Sequence, residues 1–228
     1  GVRVLCRVEL NRRFPCLSAE EAIAVGEVAG CEVVSRDEGR IVFDCPSCDV
    51  FKRCALAKSV NGERIRKERP PIERGVKTLD AITARLMVNL ARVVRGSRVW
   101  EPFLGTGAIA YEVEKAGGYV VGGDLDESAL RLARRNIGGD IVLWDALHPP
   151  LRGRLDAAIG DPPYGRLSTS SIDVRPLLLS FLEVASLHVK KGGYVVFASP
   201  VYVDLPFVKS CMMYLHGGLY RVVYVMRV

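Results

Sequence analysis

Chemistry on a flat polar group is within reach of one stretch, Asp161-Pro162-Pro163-Tyr164-Gly165, which follows an apolar run, Leu155-Asp156-Ala157-Ala158-Ile159, reading as a buried strand that ends at Gly160. A carboxylate, two residues with ring-fixed φ and an aromatic at the carboxyl end of a strand make a rigid polar edge, where open α/β sheets hold their ligands. Standing alone, the same residues would pass as a proline turn. They do not stand alone.

A glycine loop, Glu101-Pro102-Phe103-Leu104-Gly105-Thr106-Gly107, follows the strand pattern Arg98-Val99-Trp100-Glu101 and opens an apolar helix from Ala108 to Lys115. Such a loop lets a ligand approach the backbone closely, although the dinucleotide pattern G-x-G-x-x-G is not met, because Ala110 stands at its third glycine. Asp124 ends the next strand about 20 residues on, at the offset where an acid accepts hydrogen bonds from ribose hydroxyls. Asp145 ends the third strand, placed to meet the exocyclic amine or ring edge of an adenine. Asp126, just before Glu127, reads instead as a helix cap.

These residues need a scaffold that brings strand ends together. From Ser97 the pattern is strand, turn and helix in repetition: strand 119 to 123, helix Glu127 to Asn136, strand Ile141 to Trp144, the Leu155 strand, a helix over Arg175 to Val189 and a strand from Gly193 to Ala198. The series predicts an α/β fold with a doubly wound, mostly parallel sheet and right-handed crossovers. Cys211 to Leu215 and Leu219 to Met226 flank His216-Gly217-Gly218 and predict an antiparallel hairpin at one sheet edge. Ahead of the sheet, Leu86, Leu90 and Val93/Val94 recur at helical spacing, so Leu79 to Val94 is expected to be an amphipathic helix with Thr78 at its mouth.

The first 60 residues differ in character. Six of the seven cysteines lie there: Cys6, Cys16, Cys31, Cys45, Cys48 and Cys54, with only Cys211 beyond. Cys45-x2-Cys48 followed by Cys54 could open a metal site, but no second close pair exists and no histidine precedes residue 148. Stapling disulfides of the kind found in hyperthermophile proteins, or plain buried thiols, are the alternatives, and no metal is assigned. A strand at Val2 to Val8, a helix over Ser18 to Val28 with Ser18 and Glu21 at capping-box spacing, two short strands and a second helix reaching about Lys58 suggest a small ferredoxin-like α+β layer over residues 1–60. Residues 61–77, with Arg64, Arg66, Lys67, Arg69, Arg74 and Lys77 around Pro70-Pro71, read as a basic linker, either a solvated connector or a strap beside a phosphate backbone. The second domain is expected over 78–228.

Composition bounds the partners. With 49% hydrophobic and 25% charged residues in a chain of 228, a full globular core is possible. No stretch approaches the roughly 20 apolar residues of a membrane span, and the start lacks a secretion signal, so a cytoplasmic protein is expected. A net charge of +6 favours a polyanionic partner.

Taken together, the two motifs resemble S-adenosylmethionine-dependent methyltransferases of the amino-group class, in which an E/D-P-F-x-G-T-G loop binds the methionine part and a D-P-P-Y strand end holds the target amine. The resemblance implies a Rossmann-like class I methyltransferase domain. It assigns Glu101, Gly105 and Gly107 to the cofactor's amino-acid part, Asp124 to its ribose and Asp145 to its adenine, with Phe103, Leu125 and Ala146 also counted as cofactor-binding. Thr78, in Lys77-Thr78-Leu79, would close over the carboxylate end, and Asp161, Pro162, Pro163 and Tyr164 would face the substrate. An exocyclic amine has its lone pair delocalised into the ring, so two acceptors, the Asp161 carboxylate and the Pro162 carbonyl, are needed to take its N–H groups and localise that pair. Tyr164 would stack on a base that is flipped out or already unpaired.

A closer resemblance covers most of the chain: the archaeal and eukaryotic tRNA guanosine-10 N2-methyltransferases. It rests on Ala84-Arg85-Leu86-Met87-Val88-Asn89-Leu90-Ala91, on Glu101 to Gly107, on Asp161 to Arg166 with the Ser/Thr loop after it, and on the last hairpin with His216 and Arg221. In that family a THUMP domain lies between the ferredoxin-like layer and the catalytic domain, and here only the basic linker fills the interval. The implied activity is methyl transfer to guanine N2, with tRNA or another RNA as partner and RNA grip supplied by the N-terminal layer or a partner chain. An N6-adenine or N4-cytosine methyltransferase on DNA or RNA, and a non-catalytic RNA-binding or cofactor-sensing subunit, are the alternatives.

Overall fold

The computed structural model describes residues 1–75, 78–146, 148–149, 151–162 and 175–228. Lys77, Pro163, Tyr164, Gly165, Arg166 and the loop 167–171 therefore lie outside the described residues.

The N-terminal layer runs β1 (Val4–Leu10), α1 (Pro15–Val28), β2 (Glu32–Asp37), β3 (Arg40–Cys45), a 3-10 turn (Asp49–Arg53), β4 (Ala57–Val60) and β5 (Glu63–Arg64). Its described strands pair in the order β2-β3-β1-β4-β5, each neighbour antiparallel. Alternation decides which face is covered: Cys6, Val8 and Leu10 of β1 and Ile41, Phe43 and Cys45 of β3 point to one side and form a core with Ala22 and Val25 of α1. β5 carries this sheet into the interval read as linker, and Lys67 turns inward, its ammonium donating to the carbonyls of Cys54 and Ala57.

Two local expectations are corrected here. The second helix is absent: residues 49–53 make one 3-10 turn and β4 follows. The amides that would continue that helix are taken by a side chain, since Ala55 and Leu56 N–H each donate to Glu21 at 2.8 Å. The same contact removes the capping box. α1 starts at Pro15, where a missing N–H costs nothing, and Ser18 lies inside it with its hydroxyl donating to the Asn11 carbonyl at 2.7 Å. Six cysteines pair as Cys6–Cys48, Cys31–Cys45 and Cys16–Cys211, leaving Cys54 as a buried thiol.

The second unit contains α2 (Ala81–Leu90), β6 (Arg98–Glu101), α3 (Ala108–Lys115), β7 (Tyr119–Asp124), α4 (Glu127–Asn136), β8 (Asp140–Leu143), β9 (Leu155–Gly160), α5 (Arg175–His188), β10 (Val189–Ser199), β11 (Lys209–His216) and β12 (Leu219–Arg227). The described strands form one sheet in the order β11-β12-β10-β9-β6-β7-β8. From β8 to β10 the pairing is parallel, and β12 then joins antiparallel to both β10 and β11. The expected hairpin is thus present, with its second strand next to β10 and its first at the edge. The predicted amphipathic helix is shorter than its apolar pattern, because Asp80 caps it at one end, accepting from Thr83 N–H at 3.0 Å, and the chain turns at Ala91.

Side-chain alternation on the central strands feeds two cores. Val99 of β6 joins the layer of α2, α3 and α4, while Trp100 joins Phe181, Phe197 and Tyr224 on the α5 side. Phe197 and Tyr224 stack across β10 and β12 with centroids 4.8 Å apart, worth about 0.5–1.5 kcal/mol beyond burial. Leu17, Ala55 and Leu56 of the N-terminal layer belong to the first of these cores, so the two units share apolar packing. Around that seam, Cys16–Cys211 joins α1 to β11, Glu20 pairs with Lys209, and Arg13 donates to the Leu215 carbonyl at 2.7 Å.

Candidate active site

The order reversal places β6 between β7 and β9, and connections leaving β6 and β9 to opposite faces open a crevice at their carboxyl ends. There a cleft of about 820 Å³ is lined by Glu101, Phe103, Gly105 and Thr106 of the glycine loop, Asp124 at the end of β7, and Asp161 and Pro162 past the end of β9. This volume is in the range of small-molecule and cofactor sites. Thr78 and Leu79 form a second wall. The hairpin closes the third, with Leu215, Leu219, Tyr220 and Arg221.

The glycine loop is held by backbone contacts that its sequence makes possible. Leu104 N–H donates to the Gly123 carbonyl at 2.9 Å and Gly107 N–H to the Leu104 carbonyl at 3.0 Å. Gly105 and Gly107 sit at φ of +55° and +93°, where a side chain is strained. Gly122 lets the loop lie on β7, since a Cβ there would stand 2.9 Å from Leu104 Cδ1. Thr106 Oγ1 and Thr78 Oγ1 share a hydrogen bond at 2.8 Å, which joins the loop to the segment before α2. Asp124 accepts from Gly105 N–H at 2.8 Å and from Asp126 N–H at 2.9 Å, and Asp126 caps α4 through Ser128 and Ala129.

Four carboxyl groups, those of Glu101, Asp124, Asp126 and Asp161, line one cleft, and their environments differ. Glu101 is 1% exposed, and its Oε2 has no hydrogen-bond partner among the described residues. Burial first, then the neighbouring charges of Asp124 and Asp161, push its carboxyl well above the usual range. Asp161 is partly buried, and loss of solvation raises it to about 6, with Arg221 opposing and Asp80 reinforcing the rise. A cation would be welcome beside Glu101, and an N–H donor beside Asp161.

Not every predicted site residue reaches the cleft. Gly107 turns the chain into α3, Leu125 is 69% exposed, and neither lines it. Asp145 also lies away: β8 ends at Leu143, two residues early, and Trp144 folds back over Gly123, leaving the Asp145 carboxylate 3.2 Å from His148 Nδ1. Ala146 is buried beyond it and does not line the cleft either. Pro163 and Tyr164 lie outside the described residues. Asp80 belongs to none of the motifs, and Arg221, although in the hairpin that resembles the family's, has no role assigned from the sequence. The signal that could have found Arg221 is topological, since an antiparallel last strand must begin at the sheet's carboxyl edge.

Comparison with known proteins agrees with this geometry. The model of the RMKL-like methyltransferase domain matches residues 73–212. The tRNA (guanine(10)-N2)-dimethyltransferase of Methanothermobacter thermautotrophicus is 36% identical over 129 residues, 54% of this chain and 38% of that protein. The enzyme of the same name from Methanocaldococcus jannaschii is 30% identical over 158 residues, 62% of this chain and 44% of its own length. The matched stretch thus spans less than half of these curated relatives. In fold, TrmN from Thermus thermophilus superposes with a TM-score of 0.57 at 20% identity, covering 97% of this chain and 81% of that one. A methyltransferase from Pyrococcus furiosus gives 0.51 at 20% identity over 68% of this chain and 87% of its own. Both show the Rossmann-like class I architecture. Because the matched residues 73–212 carry the glycine loop, Asp124 and Asp161 on the strand ends just described, the chain belongs to the RMKL-like methyltransferase domain family.

Proposed function

We propose that this chain transfers a methyl group from S-adenosylmethionine to an exocyclic amine of a nucleobase in RNA, with guanine N2 in tRNA as the target. The observation that carries the reading is that the Asp161 carboxyl, the Glu101 carboxyl and the Gly105 loop meet in one cleft. The names of the relatives, both tRNA (guanine(10)-N2)-dimethyltransferases, support the choice of base and of RNA.

The residues present fit the cofactor. The unpartnered Glu101 oxygen suits an α-ammonium group, Asp124 suits ribose hydroxyls, and the loop at Gly105 leaves room for close approach. When bound, S-adenosylmethionine supplies an electrophilic methyl group. The chain's own part is to hold the amine: the Asp161 carboxylate and the Pro162 carbonyl accept its N–H groups, which draws the nitrogen lone pair out of conjugation. The resemblance gives Tyr164 the role of stacking on the target base. The net charge of +6 favours the RNA partner, with further grip from the N-terminal layer or a partner chain.

Radiolabelled S-adenosylmethionine with bulk tRNA tests this directly. Labelling is expected, and Asp161→Ala should abolish it while cofactor binding persists; equal labelling by that variant would remove Asp161 from the chemistry. Mass spectrometry of digested nucleosides identifies N2-methylguanosine, and methylated adenine or cytosine would instead move the target base. Cofactor binding without labelling of any RNA or DNA would make the chain a non-catalytic subunit.

A further inference from the structure

The cleft continues outward along the carboxyl edge of the sheet. Beyond Asp161 at the end of β9 come Ser199 and Pro200 at the end of β10, Tyr220 at the start of β12 and Tyr214 near the end of β11. At about 4.8 Å per strand, Tyr220 stands two steps and Tyr214 three steps from β9, or about 10–15 Å. Tyr214 and Tyr220 are directly opposite each other in the hairpin register, so their side chains leave the same face. It is the α5 side, since Val222 and Tyr224, which alternate in step with Tyr220, enter the core there. Tyr202 borders the pair. Val203 N–H donates to the Tyr224 hydroxyl at 2.7 Å and that hydroxyl donates to the Val201 carbonyl at 3.1 Å, which pins the segment around Tyr202 on this face.

We propose that Tyr202, Tyr214 and Tyr220 form a stacking platform for the unpaired nucleotides that flank the target base in RNA. The proposal deepens the methyltransferase reading and rests on it for the polymer whose base enters the cleft.

The three rings are available. Tyr202 is 54%, Tyr214 55% and Tyr220 36% exposed, and among the described residues none of them packs against another aromatic ring. Three observations favour a nucleotide chain as the occupant. The surface is continuous with the cleft, because Pro200 and Tyr220 line both, so it borders the path of a chain whose base sits at Asp161. A base drawn out of its stack deprives each neighbour of a stacking partner, and an exposed aromatic face offsets that cost. Charge is also in place: Arg13 donates to the Leu215 carbonyl, next to Tyr214, at 2.7 Å, and has no ion-pair partner among the described residues. A guanidinium beside the rings suits a phosphodiester backbone.

The test measures binding of the full chain, by fluorescence anisotropy at fixed salt, to two labelled single-stranded RNAs. One holds a single central guanosine; the other is identical except that the nucleotides on either side of it are abasic, which keeps the number of phosphates unchanged. The dissociation constant for the first RNA should rise at least about fivefold in Tyr214→Ala and in Tyr220→Ala, and the wild type should bind the abasic RNA more weakly by a similar factor. Removing the bases should cost the double alanine variant little, because ring and base are lost together. Tyr214→Phe, which keeps the ring, should bind like the wild type. Unchanged constants in the alanine variants, or losses that simply add across protein and RNA, overturn the proposal. Should those variants fail to fold, equal binding of both RNAs by the wild type does so. A change of oligomeric state in Tyr214→Ala with RNA binding intact would make the face an interface between copies and overturn it as well. If ring and base prove coupled while the wild type methylates no RNA, the platform stands and the methyltransferase reading falls; methylation without coupling keeps that reading and removes the platform.

Discussion

Asp124 holds the backbone of Gly105, its Oδ2 accepting that residue's N–H at 2.8 Å, so the end of β7 fixes the loop that leaves β6. The acid expected to receive ribose hydroxyls is therefore also an organiser of the glycine loop. Asp124→Ala should lose both roles. A hydrogen bond to a charged group contributes about 1.5–3 kcal/mol, so the dissociation constant for S-adenosylmethionine should rise at least about tenfold, as read by calorimetry. An unchanged constant would remove Asp124 from the cofactor site.

Glu101 leads to a pH effect with a definite sign. Its carboxyl is pushed well above the usual range by burial and by two neighbouring acids, which favour the protonated form in the free protein. An ammonium group placed beside it favours the ionised form, and binding then releases about one proton. Cofactor affinity should rise with pH until Glu101 ionises unaided. Calorimetry in buffers of differing ionisation enthalpy reads the proton count, which should vanish in Glu101→Gln.

The Cys16–Cys211 bridge spans 195 residues and ties α1 to the strand preceding Arg221's. In the chain-entropy account a loop of that length stabilises by about 5 kcal/mol. Cys16→Ala with Cys211→Ala should lower Tm by at least about 5 °C by calorimetry. Titration of thiols in the denatured, unreduced protein should find the single Cys54, and all seven cysteines after reduction.

Gly123 makes room for the Trp144 ring on β7. A Cβ there would lie 2.1 Å from Trp144 Nε1, on a strand that cannot retreat from both neighbours. Gly123→Ala should cost about 1–3 kcal/mol in denaturant unfolding and alter Trp144 fluorescence. Gly138, where a Cβ meets nothing within 4 Å, serves as the control and should be near neutral as Ala.

Much of the second unit is legible in the sequence, because its strands are short apolar runs separated by amphipathic helices, and periodicity reports such elements directly. β6, α3, α4 and β9 fall where the pattern puts them. The N-terminal layer was less legible. Its second helix failed because Glu21, remote in sequence, takes the amides of Ala55 and Leu56, a tertiary contact that local propensity does not see. The six bridged cysteines could be counted but not paired, since pairing depends on which strands become neighbours.

The sequence by itself determined the two motifs, the strand ends that carry them and the family likeness, since residue type and local spacing suffice for these. Tertiary structure alone decided which of the acids share the cleft. Asp124 and Asp161 converge because β6 lies between β7 and β9, whereas Asp145 turns away because its strand ends at Leu143 and Trp144 packs on Gly123. Arg221 arrives by topology as well. It is 60 residues from Asp161 in the chain, and only the antiparallel return of β12 brings it to the same cleft.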